Sequence, residues 1–250
     1  MLSFLRGNNA GRDRKSFLKS PPREFFCYYG PPENLVGKLG KVQMAFVELM
    51  HGGGDIAKTL AGEVDYLIAY CSCGEAVGDL IPKLPKEANM GHNRYGWESY
   101  YGDPANPTWA RILIEHANNL LSKGADGLLL DTVDTVDIFP QIHQGMVQLI
   151  RNLRKRFPNR VIILNRGFKV FADVQDVVDG VMFESMMHKD FSAADRDWVE
   201  GMCGKLKKSG LPIFSINYLD CCDPEECRQM AEEYGFYLHM APDRSLMNLP

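Results

Sequence analysis

The chain has 250 residues, of which 45% are hydrophobic and 24% charged, and its formal net charge is -4. That length suits one barrel of eight strand–helix units, which takes roughly 200–250 residues, and leaves little for a second domain. The mild acidity excludes the broad positive field that draws a phosphate backbone. No apolar run nears the ~20 residues of a membrane span, so neither nucleic acid nor a membrane is an expected partner.

In chain order, residues 1–22 mix Arg6, Arg12, Arg14 and Lys15 with Gly7, Asn8 and Asn9. With little apolar surface to offset ordering, they are expected to form a flexible N-terminal arm ahead of a barrel domain at 23–250. They also lack the apolar core of a secretory signal, so the chain as written reads as cytoplasmic. Short apolar, β-rich runs bounded by turn residues predict strands at 24–29, 43–47 and 66–71. Residues 74–107 then break the rhythm as a long polar and aromatic stretch carrying Tyr95, Trp97, Tyr100 and Tyr101, expected to be a functional loop.

Beyond it, helical spacing of Ile112, Leu113, His116, Leu120 and Leu121 predicts a helix over 108–122, stopped by Gly124. Further strands are predicted at 127–131, 160–165, 180–184, 212–218 and 235–239. Further helices fall at 141–157, 193–208 and 224–234, the last with Asp223 as N-cap and Pro224 at its first position. The cluster Arg154-Lys155-Arg156 reads as a solvated helix end. Alternating strands and helices imply a parallel sheet, and runs such as Val161-Ile162-Ile163-Leu164 imply burial on both faces. Eight units favour an α/β fold closed into a (β/α)₈ TIM barrel over an open doubly wound sheet. The seven cysteines are an odd number without zinc-knuckle spacing, so reduced thiols, no metal site and no cofactor are expected.

In a parallel barrel the C-terminal strand ends share one mouth, so polar residues that terminate apolar runs converge there. Asp131 and Glu184 each directly follow at least four apolar or glycine residues, a position that costs stability unless the charge has partners or work. Tyr70, Glu75, Asp134, Asn165, Arg166, Tyr218 and Asp243 also lie at or just beyond strand ends, with Tyr28 in the first run and Trp97 in the long loop. Two carboxylates beside aromatics suit glycosidic hydrolysis, where one carboxyl protonates the leaving oxygen and the other acts at the anomeric carbon or on water. An aldolase would want a lysine at a strand end, and a metal-dependent hydrolase a histidine-rich mouth; these strand ends offer neither.

The run Lys123-Gly124-Ala125-Asp126-Gly127-Leu128-Leu129-Leu130-Asp131-Thr132-Val133-Asp134 resembles the signature of glycoside hydrolase family 114, the endo-α-1,4-polygalactosaminidase-like barrels. In the same order, Ala69 to Glu75, Trp97 to Pro104, Asn165-Arg166-Gly167-Phe168, Phe183-Glu184-Ser185, Gly235-Phe236-Tyr237 and Asp243-Arg244 are similar to that family over about residues 24–246. The resemblance implies a (β/α)₈ barrel and an endo-acting glycosidase on an α-1,4-linked galactosamine or N-acetylgalactosamine polysaccharide. It places the catalytic carboxylates at Asp131, as nucleophile, and Glu184, as general acid/base. Tyr28, Tyr70, Glu75, Trp97, Asp134, Asn165, Arg166, Tyr218 and Asp243 are then candidate substrate-binding residues. Family members that degrade wall or biofilm polysaccharide resemble exported proteins, whereas no export signal is visible here. Cys71 and Cys73, flanking Ser72 beside the mouth, raise a redox or metal-linked activity as a weaker reading. The alternative to hydrolysis is a barrel that binds glycan without cleaving it.

Overall fold

The computed structural model describes residues 12–40, 42–49, 54–93, 95 and 98–249. Eight parallel strands form the central sheet: β1 (Phe25–Tyr28), β2 (Met44–Val47), β3 (Tyr66–Ser72), β7 (Gly127–Asp131), β8 (Val161–Asn165), β9 (Gly180–Glu184), β10 (Ile213–Tyr218) and β11 (Tyr237–Ala241). They pair strictly in chain order, as successive strand–helix units demand. β1 and β11 bring the sheet round on itself, with Phe25 and Phe26 packing on His239 and the Tyr29 N–H donating to the Leu246 carbonyl at 2.7 Å. The result is a nearly closed (β/α)₈ barrel.

Because strand side chains alternate, the barrel has two apolar layers. Phe25, Met44, Phe46, Ile68, Leu129, Ile163, Met182, Phe214 and Ile216 fill the interior. Phe26, Ala45, Leu67, Leu128, Ile162, Val181 and Phe183 belong to the outer layer, under the helices. Those helices are α2 (Gly54–Glu63), α3 (Pro107–Lys123), α5 (His143–Arg156), α7 (Ala193–Ser209) and α8 (Pro224–Tyr234), with single turns α4 (Thr135–Ile138) and α6 (Phe171–Val174). Local chemistry fixes their starts. Asn106 accepts from the Thr108 and Trp109 N–H groups, Ser192 and Asp195 form a capping box, and Asp223 caps α8 ahead of Pro224.

Three features depart from the sequence expectations. Residues 12–22 are not a free arm: α1 (Arg14–Lys19) seats Phe17 in the barrel interior, fully buried against Tyr66 and Phe214. Arg14 pairs there with the buried Asp179, and Arg12 lies 3.7 Å from Asp126. Residues 1–11, the rest of the expected arm, lie outside the described residues. Arg154 is buried as well, donating to Asp179 and to the Val177 and Arg160 carbonyls, so only Lys155 and Arg156 are a solvated helix end. Finally, the stretch 74–107 contains a three-stranded antiparallel sheet of β4 (Glu75–Val77), β6 (Ser99–Gly102) and β5 (Asn89–His92), plus two 3₁₀ turns. Buried Ala76, Leu80 and Ala88 join it to the outer apolar layer of the barrel, and Tyr101 is buried beside them. No helix among the described residues is long and apolar enough to cross a membrane.

Candidate active site

Strand alternation decides what reaches the mouth. Ile68, Leu129, Ile163, Met182 and Ile216 point into the barrel. The residues two positions on, Tyr70, Asp131, Asn165, Glu184 and Tyr218, therefore turn to the same side at its C-terminal end. Asn165 joins the two carboxylates, its Nδ2 donating to Asp131 Oδ1 at 2.6 Å and to Glu184 Oε2 at 2.9 Å. One nitrogen within reach of both oxygens limits their separation to the sum of those distances, about 5.5 Å, and trigonal N–H directions bring it to about 4.8 Å.

The Tyr218 hydroxyl donates to Glu184 Oε1 at 2.6 Å. Tyr70 lies close enough to Asp131 for that carboxylate's charge to raise its phenol. Tyr29 meets the Tyr70 ring edge-on at 5.0 Å. Asn165 Oδ1 is buried with no partner among the described residues, which leaves an acceptor for the hydroxyl or amine of a ligand.

Burial, reinforced by the charges of Glu184 and Asp134, pushes the Asp131 carboxyl up to about 7, against the opposing hydrogen bonds from Thr132 and Asn165. Burial also raises Asp134, while Arg166, 3.4 Å away, pulls it back down. Desolvation and the neighbouring carboxylates hold the phenols of Tyr29, Tyr70 and Tyr218 well above their ordinary range, so all three remain hydrogen-bond donors.

The backbone turns sharply behind the bridged trio. Thr132, Arg166 and Ser185, the residues immediately after Asp131, Asn165 and Glu184, have φ of 57°, 52° and 54°. Such left-handed conformations are uncommon for residues other than glycine and unfavourable for a β-branched one. Thr132 is held in place by its hydroxyl, which accepts from the Gly74 and Cys73 N–H groups at 2.8 and 3.2 Å and lies 2.8 Å from Ser72 Oγ. Gly74 has to be small here, since a Cβ on it would sit 2.2 Å from the Thr132 carbonyl oxygen.

The remaining predicted site residues fall in several places. Tyr28 is corrected: it belongs to the outer layer and its hydroxyl accepts from Asn34, so its neighbour Tyr29 is the tyrosine at the mouth. Glu75 is buried in the small sheet, accepting from Asn93 and from Ser99 Oγ, and so anchors that sheet beside the mouth. Asp134 and Arg166 form an ion pair next to Asp131. Asp243 accepts from the Ser245 N–H and Asn248 Nδ2 in its own C-terminal turn, and these bonds do not join it to the bridged trio. Trp97 lies outside the described residues. Cys71 and Cys73 are buried in the outer apolar layer, with the Cys73 thiol on the Cys71 carbonyl. Sequence reasoning missed Tyr29, because every residue from Phe25 to Tyr29 suits an apolar setting, and it placed Ser72 and Thr132 only within strand-end runs, without a role.

Residues 9–239 match the model of glycoside-hydrolase family GH114. The chain belongs to that family. As a GH114 member it is a glycosidase, and the fold agrees. The glycoside hydrolase domain of PelA from Pseudomonas aeruginosa superposes with a TM-score of 0.76 at 24% identity, over 91% of this chain and 97% of that one. Aspergillus fumigatus Ega3, in complex with galactosamine, gives a TM-score of 0.73 at 14% identity, over 92% and 94%. The α-galactosidase TtGalA from Thermus thermophilus, in complex with p-nitrophenyl α-D-galactopyranoside, gives 0.62 at 13% identity, over 95% and 62%. No curated protein sequence matches the GH114 chain.

Proposed function

We propose that this GH114 chain hydrolyses α-1,4 bonds within a galactosamine-containing polysaccharide, with Asp131 as nucleophile and Glu184 as general acid/base. The observation that carries the reading is the single Asn165 amide nitrogen, 2.6 Å from one carboxylate and 2.9 Å from the other. Carboxyl groups about 5 Å apart fit a double displacement through a glycosyl-enzyme, whereas direct attack by water needs roughly 6.5–9.5 Å. The reaction is then one that retains the anomeric configuration. Asp131 attacks the anomeric carbon as Glu184 passes a proton to the leaving oxygen. Water then gives a proton to Glu184 and releases the sugar from Asp131.

That sequence needs one proton on the pair. Burial and the Glu184 charge push Asp131 up to about 7, so the pair carries a proton on the acid side of neutrality and loses it as pH rises through about 7. A protonated sugar amine beside Asp131 favours its ionised form, the form that attacks.

The substrate class is supported by two structural neighbours bound to galactose-configured sugars, Ega3 with galactosamine and TtGalA with an α-galactoside. The test is to incubate the purified chain with α-1,4-galactosamine polymer, follow reducing ends, and read the first-formed anomer by proton NMR. Oligosaccharides released as α-anomers, and a loss of at least about 10³-fold in Asp131→Asn and Glu184→Gln, are expected. A β-anomer first, undiminished variants, or saturable binding without turnover overturns the proposal.

A further inference from the structure

Two of the seven cysteines stand apart by geometry. The sulfurs of Cys222 and Cys227 lie 3.0 Å apart, about 1 Å beyond the ~2.05 Å of a disulfide bond. Their positions follow from how α8 begins. Asp223 is the N-cap, so Cys222 is the residue before the cap and Cys227 the fourth of the helix, the two places a hydrophobic staple brings together at a helix start. The backbone on both sides is fixed. The Cys227 N–H donates to the Asp223 carbonyl at 3.1 Å, the Cys222 N–H to the Tyr218 carbonyl at 3.2 Å, and the Cys222 thiol to that same carbonyl at 3.2 Å. Closing a bond between the sulfurs takes an approach of about 1 Å.

Neighbouring thiols do not compete. Cys221 turns its sulfur to Asp220 Oδ1 at 3.1 Å and packs against the interior layer, while Cys203 sits in the buried face of α7. Cys227 is fully buried and Cys222 is 8% exposed, so Cys222 is the thiol an oxidant can reach.

We propose that Cys222 and Cys227 form an intramolecular disulfide on contact with a small aliphatic disulfide such as oxidised glutathione, making the helix staple covalent. The Cys222 thiolate attacks one sulfur of the oxidant, whose S–S bond breaks and releases one glutathione thiolate. Cys227 then gives up its proton and displaces the second glutathione from Cys222. Two protein thiols lose two electrons and two protons, and the oxidant gains them as two glutathione thiols. The linkage fastens the turn whose Tyr218 hydroxyl holds Glu184. It does not depend on which sugar the mouth takes.

The experiment treats the native full chain with oxidised glutathione, alkylates the remaining thiols after denaturation, and maps the cysteines by mass spectrometry alongside thermal melting. The expected product joins Cys222 to Cys227 in a peptide roughly 2 Da lighter than its reduced form, and melts roughly 4–8 °C higher than the reduced chain. Cys221→Ser keeps both changes and Cys227→Ser loses both. Full alkylation of Cys222 and Cys227, glutathione retained on Cys222, a bond through Cys221, or a linkage without a rise in Tm overturns the proposal. The mapping uses the wild-type chain, so a variant that fails to fold does not blunt it.

Discussion

Replacing Asp131 with Asn should remove activity and stabilise the fold, and the gain should depend on pH. In the folded chain the Asp131 carboxyl is pushed up from 3.8 to about 7, chiefly by burial and by Glu184. The unfolded chain then ionises at lower pH than the folded one, so the folded state binds the extra proton and stability falls as pH rises from about 4 to 7. A shift of about three units corresponds to about 4 kcal/mol, and water at the partly exposed mouth screens roughly half of it, leaving ~2 kcal/mol. Asn keeps the oxygen that accepts from Asn165 and never ionises. The Tm of Asp131→Asn should therefore match wild type near pH 4 and exceed it by about 4–8 °C at pH 8, measured by calorimetry in matched buffers. A gap of equal size at both pH values, or a variant less stable at pH 8, would refute the argument that burial of this charge is a cost the fold carries.

Asn165→Ala removes the donor that both carboxylates share; kcat should fall roughly 10–200-fold, and the alkaline limb of the pH–rate profile should move upward, because the bond that lowers the Asp131 pKa is gone. At the other end of the barrel, Asp179→Ala leaves Arg14, Arg154 and the Ile162 N–H without their acceptor. That variant should lose about 3–5 kcal/mol and melt roughly 6–20 °C lower, with kcat at 25 °C close to wild type in whatever remains folded. Ser185 has φ of 54°, so Ser185→Val should cost about 1–2 kcal/mol in urea unfolding while Ser185→Gly stays within about 1 kcal/mol of wild type. Equal tolerance of both would contradict the left-handed turn.

The barrel was legible because its strands are buried on both faces, and the pair was legible because Asp131 and Glu184 interrupt long apolar runs. The same double burial hid the parity of β1. In Phe25-Phe26-Cys27-Tyr28-Tyr29 every residue suits an apolar setting, so nothing local separates the interior face from the exterior, and a one-residue slip moved the mouth tyrosine from Tyr29 to Tyr28. Residues 12–22 looked too polar to fold because one phenylalanine seemed little against so many charges. Phe17 nonetheless fills the barrel floor, and the charges of Arg12 and Arg14 meet Asp126 and Asp179, acids more than a hundred residues away. Residues 74–107 concealed a sheet because β4, β5 and β6 have only three or four residues each and lean on Glu75, whose partners Asn93 and Ser99 are identified only by the fold.

The three left-handed residues connect the strands to the chemistry. A regular strand continued past Asp131, Asn165 or Glu184 would send the following residue to the outer face and the next back over the mouth. Turning left-handed at Thr132, Arg166 and Ser185 takes the chain away instead, so each of the three side chains is the last on its interior column. That is why one amide can reach two carboxylates. The strain costs about 1–2 kcal/mol at each residue and must be offset elsewhere, by the Thr132 hydroxyl on Gly74 and Cys73 and by the Arg166 pairing with Asp134. A burial cost at Asp131 and conformational cost behind each of the trio fall within one small region. A fold selected for stability alone would retain neither, so their coincidence at the mouth favours a catalytic pair over a passive sugar-binding surface.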